Sequence, residues 1–62
     1  MEIRNDTGRK VKVYDTARKR WYKGTVLHVE RLDENNQPNG WSVELTNGNR
    51  GLWDVDNLQF EE

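Results

Sequence analysis

At 62 residues the chain has room for one domain, and a domain of this size buries only about 60% of the surface its unfolded form exposes, so its core must be thin. Hydrophobic residues make up 32% and charged residues 34%, the mean hydropathy is -1.18, and the lack of cysteine excludes a disulfide framework, a thiolate nucleophile and any cysteine zinc site. The net charge is -1, and no uninterrupted apolar run exceeds two residues, so nothing in the chain reads as a signal-peptide core or a membrane span.

Met1–Thr7 reads as a poorly tied terminus in which Ile3 adds an edge contact. After Gly8, a first strand is expected over Lys10–Tyr14, with Val11 and Val13 facing inward and Lys10, Lys12 and Tyr14 facing the other way. Asp15–Arg20 forms a polar loop, and a long second strand runs from Trp21 to about Leu32. Its alternation changes phase, since Tyr22, Gly24 and Val26 share one parity and Leu27 and Val29 the other. A bend or bulge near Val26 lets both sets face a core, and Gly24 allows close backbone approach there. Asp33–Gly40 reads as a solvated hairpin loop. The third strand, Trp41–Thr46, places Trp41, Val43 and Leu45 on one face, and Asn47–Gly48 marks a tight hairpin because both residues tolerate positive φ. A fourth strand from Asn49 to about Trp53, a single 3₁₀ turn at Asp54–Asn57 and a brief fifth strand, Leu58–Phe60, complete the pattern. No window of a dozen residues carries helical spacing. The fold expected is all-β, a small five-stranded SH3-like barrel over residues 8–60, preceded by a flexible segment at 1–7 and followed by a tail at 61–62.

The charge is divided along the chain. Met1–Lys23 holds eight basic residues against three acidic ones, a balance of +5, and the remainder holds two against eight, a balance of -6. Such a division suggests a nucleic-acid face opposite an acidic one, whereas closing a barrel intersperses the two signs. The pI near 5.8 lies far below the value above about 9 that marks a dedicated nucleic-acid domain.

A resemblance rests on Gly8, Val11-Lys12-Val13, Trp21-Tyr22-Lys23-Gly24-Thr25-Val26, Trp41-Ser42-Val43-Glu44-Leu45, Gly48-Asn49, Val55 and Leu58, which together look like a Tudor or Agenet-type domain. In those domains an aromatic pair, a small residue and a valine open the second strand. A glycine follows the third strand, and apolar residues recur five, seven and ten positions beyond it, which here are Trp53, Val55 and Leu58. Other SH3-like barrels, such as KOW-type ribosomal and transcription modules, share several of these features. The resemblance implies a non-catalytic, monomeric module that reads a peptide or protein tail, histone tails included, through an aromatic cage around a methylated Lys or Arg. The implied walls are Tyr14, Trp21 and Tyr22, with a carboxylate from Glu44, Asp54 or Asp56 for a residual N–H. Where such domains carry further aromatics, on strand three and its hairpin, this chain has Glu44 and Asn47. The location implied is intracellular, and nuclear for a eukaryotic chromatin protein.

Two other uses remain open on the residues themselves. Tyr14 and Trp21 lie amid Lys10, Lys12, Arg18, Lys19, Arg20 and Lys23, where flat rings can stack bases while cations hold phosphates. Alternatively the barrel docks as a structural subunit of a larger assembly. By parity Trp41 reads as core and Trp21 as partly exposed, and the resemblance, which has an aliphatic core residue at the position of Trp53, implies that Trp53 is buried. Catalysis is not expected: the lone His28 has no metal-ligand or nucleophile partner by spacing, and Asp54 and Asp56 suit turn formation better than acid–base work. Gly48-Asn49-Arg50-Gly51 lacks the helix a phosphate loop requires, and nothing calls for a metal or other cofactor.

Overall fold

Alternating valines separated by turn-forming residues favour short antiparallel strands, and a computed structural model, which describes residues 6–61, has five of them. These are β1 (Lys10–Asp15), β2 (Arg20–Leu32), β3 (Pro38–Leu45), β4 (Arg50–Asp54) and β5 (Leu58–Phe60). They form one antiparallel sheet in the order β4-β3-β2-β1-β5, curled into a small SH3-like barrel, with a 3₁₀ turn over Val55–Asn57 leading into β5.

The β1–β2 register pairs Val11 with Gly24 and Val13 with Tyr22 on the inner face, and Lys12 with Lys23 and Tyr14 with Trp21 on the outer face. On the inner face the approach is tight at Gly24, where a Cβ would lie 2.7 Å from Val43 Cγ1 and 2.8 Å from the Glu44 carbonyl oxygen. Along β2 the pairing to β3 skips Leu27 between Val26 and His28, and further register shifts follow toward Leu32. This bulge is the change of phase seen in the sequence: one extra residue re-aims the strand, so that Val29 faces Trp41 and packs against the core.

The buried core comprises Val11, Val13, Val26, Trp41, Val43, Leu45 and Leu58, with Tyr22, Val29, Trp53 and Phe60 packed against it. Trp41 is 1% exposed and meets the Phe60 ring edge-on at 5.3 Å. Its indole Nε1 donates to Asp6 Oδ2 at 3.0 Å, which satisfies a polar group that burial would otherwise leave costly. Asp6 is itself fully buried and pairs with Arg9 at 3.1 Å, whose guanidinium lies 4.0 Å over the Phe60 ring. The segment expected to be loose therefore ends in an anchored carboxylate. Residues 1–5, including the edge contact expected of Ile3, lie outside the described residues.

Two local readings need correction. The third strand begins at Pro38 rather than Trp41, shortening the solvated loop, because proline is tolerated at a strand's first residue and a register shift accommodates Asn39. At the β3–β4 hairpin only Gly48 takes positive φ, at 91°, whereas Asn47 acts through its side chain, whose Oδ1 accepts from Asn49 N. Farther along β3, Gly40 leaves room for the Arg31 side chain, which crosses it at 3.1 Å from the position of a Cβ and pairs with Asp54 on β4 at 3.2 Å.

Asp6→Ala leaves the Trp41 indole N–H buried without that acceptor, so a loss of about 1–3 kcal/mol is expected in urea unfolding, with Asp6→Asn recovering only part of it, since its one amide oxygen can accept from the indole or from Arg9 but not from both. Gly24→Ala forces a methyl against backbone and core, and the same assay is expected to show a loss of about 1–3 kcal/mol.

Candidate functional site

The outer face of the β1–β2 hairpin carries the ring pair singled out in the sequence. Tyr14 and Trp21 are direct cross-strand partners whose ring centroids lie 5.3 Å apart at 61°, an edge-on arrangement favoured by the ring quadrupoles. Trp21 remains 45% exposed. The next outward pair is Lys12 with Lys23, and beyond it Lys10 donates from Nζ to Thr25 Oγ1 at 3.0 Å.

Tyr22 does not join this pair. Strand alternation sends it to the inner face opposite Val13, where it packs against the core. Two exposed arginines of the first loop approach its ring and hydroxyl. Arg20 lies over the Tyr22 ring at 5.8 Å, and a hydrogen-bonding interaction with Tyr22 is the main cause holding Arg18 above its ordinary value, followed by the charges of Tyr22 and Asp15. The six basic residues grouped in the sequence thus divide, with Lys10, Lys12 and Lys23 outward and Arg18 and Arg20 gathered at Tyr22. Lys19 closes the loop with φ 56°.

Between that loop and β4 lies an open groove of about 550 Å³, whose walls include Tyr14, Asp15, Arg18, Trp53, Asp54 and Asn57. The loop side is shaped by Asp15, whose Oδ1 accepts from Ala17 N at 2.9 Å and Arg18 N at 3.1 Å while its carbonyl accepts from Lys19 N at 2.7 Å. On the far wall the half-buried Trp53 ring lies over Gly51, approaching the position of a Cβ to 2.9 Å. Asp54 Oδ1 accepts from Arg31.

Of the residues proposed from sequence, Tyr14 and Asp54 share this groove, and Trp21 adjoins it through Tyr14. Glu44 does not line it. That residue lies on β3 opposite Arg50 and accepts from Arg50 Nε at 3.0 Å. Trp53 and Asp15 were missed as wall residues. Trp53, implied to be buried, stands opposite Trp41 and packs against the core but is only half-buried, because β4 is an edge strand and leaves the ring open on one side. Asp15 had a local signal, a loop-opening aspartate followed by small and polar residues.

His28 is exposed and interacts with Glu30 two residues along the strand. Among the described residues no group of three His, Cys, Asp or Glu side chains is placed to hold a metal ion, and no helix is long and apolar enough to cross a membrane. The chain matches no family model, no curated protein and no solved structure. Its class, a small SH3-like β-barrel, is defined by strand order and the 3₁₀ turn before β5.

Asp15→Ala removes both side-chain bonds that close the first loop, and a loss of about 1–2 kcal/mol is expected in thermal unfolding, with faster amide exchange at Ala17 and Arg18.

Proposed function

We propose that the protein is a non-catalytic recognition module, Tudor-like as its sequence suggests, that takes a Lys- or Arg-bearing peptide tail in the groove between the first loop and β4. The observation that carries this reading is the meeting of Tyr14 and Trp53 with the carboxylates of Asp15 and Asp54 in one groove of about 550 Å³. An alkylated ammonium keeps its charge but loses hydration, so aromatic surface attracts it more than water does. Each carboxylate commits Oδ1 within the chain, Asp15 to loop amides and Asp54 to Arg31, which leaves its second oxygen for a ligand N–H. Two rings and two carboxylates favour a lower methyl state, which retains an N–H to donate, over a trimethylated one. A histone tail is one partner of this chemistry.

The test is an NMR titration of the labelled protein with unmodified, monomethylated and trimethylated lysine peptides. Shifts are expected at Tyr14, Asp15, Trp53 and Asp54, largest with the monomethylated peptide. Asp54→Asn is expected to weaken binding by roughly threefold to tenfold, as for an exposed ion pair worth about 1 kcal/mol. Equal affinity for the unmodified peptide removes methyl reading from the proposal, and shifts with none of the peptides overturn it.

A further inference from the structure

The groove accounts for Tyr14 but leaves the most exposed ring of the molecule, Trp21, and the lysines beside it without a role. Lys12 and Lys23 stand directly opposite one another on adjacent strands, an arrangement that costs stability because like charges repel. Among the described residues neither ammonium has a hydrogen-bond or ion-pair partner. The flanking positions do not neutralise them: Lys12 faces Gln59 on β5, and Glu44, next to Thr25 on β3, is committed to Arg50. Glu61, whose N–H donates to the Lys10 carbonyl, lies at the far end of the patch from Trp21. An aromatic platform braced edge-on by Tyr14 thus lies one cross-strand row from two uncompensated cations.

We infer that this outer face of β1 and β2 is a second binding surface, for single-stranded nucleic acid. A base stacks on Trp21, and the flanking phosphates are held by Lys12 and Lys23, with Lys10 at the margin. Residues two apart along a strand are separated by about 7 Å, so the ring and the nearer lysine reach a base and an adjoining phosphate of one strand. A duplex keeps its base faces stacked and offers Trp21 nothing. An acidic peptide would use the lysines without the ring. Arg18 and Arg20, drawn toward Tyr22, are not part of this surface.

The experiment is fluorescence anisotropy at low salt with a short labelled oligothymidylate, the matching oligouridylate, a duplex and a polyglutamate of the same length, alongside the Trp21 indole N–H resonance. The single strands are expected to bind and to shift that resonance. Trp21→Ala is expected to weaken them between roughly fivefold and a hundredfold, the range that stacking of one base supports. Lys12→Ala combined with Lys23→Ala is expected to flatten the dependence of log affinity on log salt by about 1.4, or about 0.7 for each phosphate no longer neutralised. All these side chains are outward-facing, and circular dichroism checks that the variants keep the fold. Absence of single-strand binding, indifference to Trp21→Ala, or binding of duplex or polyglutamate as tight as that of the single strands overturns the assignment. The two surfaces share Tyr14, but Asp15, Trp53 and Asp54 belong to the peptide groove alone and Trp21, Lys12 and Lys23 to this face alone, so either surface can fail without the other.

Discussion

Four valines and two leucines make a thin core for a five-stranded barrel, and the indole of Trp41 supplies the reach that they lack. In the sheet β3 and β5 stand three places apart, yet Trp41 and Phe60 meet edge-on, so this pair of rings spans the interior and holds the sheet in its curled form. The same indole ties in the start of the described chain through Asp6 and faces Val29 and Trp53 on its neighbouring strands. A carboxylate at zero exposure is a costly element in so small a protein, and here the indole N–H and Arg9 are among the groups that compensate it. The ring that spans the barrel is thereby also the one that anchors the chain ahead of β1 at Asp6.

The inner and outer faces of β1 and of β3 from Trp41 onward were legible because the alternation is unbroken there: Val11 and Val13 on one strand, and Trp41, Val43 and Leu45 on the other, are buried as parity requires. The bend in β2 was legible as a conflict, since its apolar residues changed phase, and the bulge at Leu27 resolves it. Pro38 was lost to the loop because its neighbours all have turn chemistry, and only pairing with Leu32 shows it to be strand. The candidate site was only partly legible. Sequence neighbours such as Trp21 and Tyr22 look like one aromatic cluster, but in a strand adjacent residues point to opposite faces, so proximity in sequence separates them in space. Trp53 belongs to the groove through its place at a sheet edge, a property of strand order that no local pattern encodes.

The division of charge along the chain has a structural counterpart, though not the one a simple count suggests. Two of the eight later acids are drawn into pairs with arginine, Glu44 with Arg50 and Asp54 with Arg31, and both pairs use the two arginines of that same half rather than the cations of the first third. On the outside of the first hairpin a lysine pair stands without an ion-pair partner among the described residues. Carboxylates beside two rings line the groove at the hairpin's far end. Tyr14 belongs to both regions, touching Trp21 on one side and lining the groove on the other, so the two surfaces share a wall, one beside lysines alone and the other beside both acids and arginines.

The crossing of Gly40 by Arg31 bears on how the barrel meets copies of itself. The free edges of the sheet are β4, five residues long, and β5, three residues long. A short edge offers few unpaired amides for another chain to extend, and charge along it raises the cost of such pairing. β4 is bounded by Arg50 and Asp54, each held in an ion pair to an inner strand, so both ends of the longer edge are charged and laced back to the body of the sheet. With a glycine at position 40, the lace passes over β3 rather than around it, and the edge is guarded against strand-to-strand aggregation without a covering helix or loop.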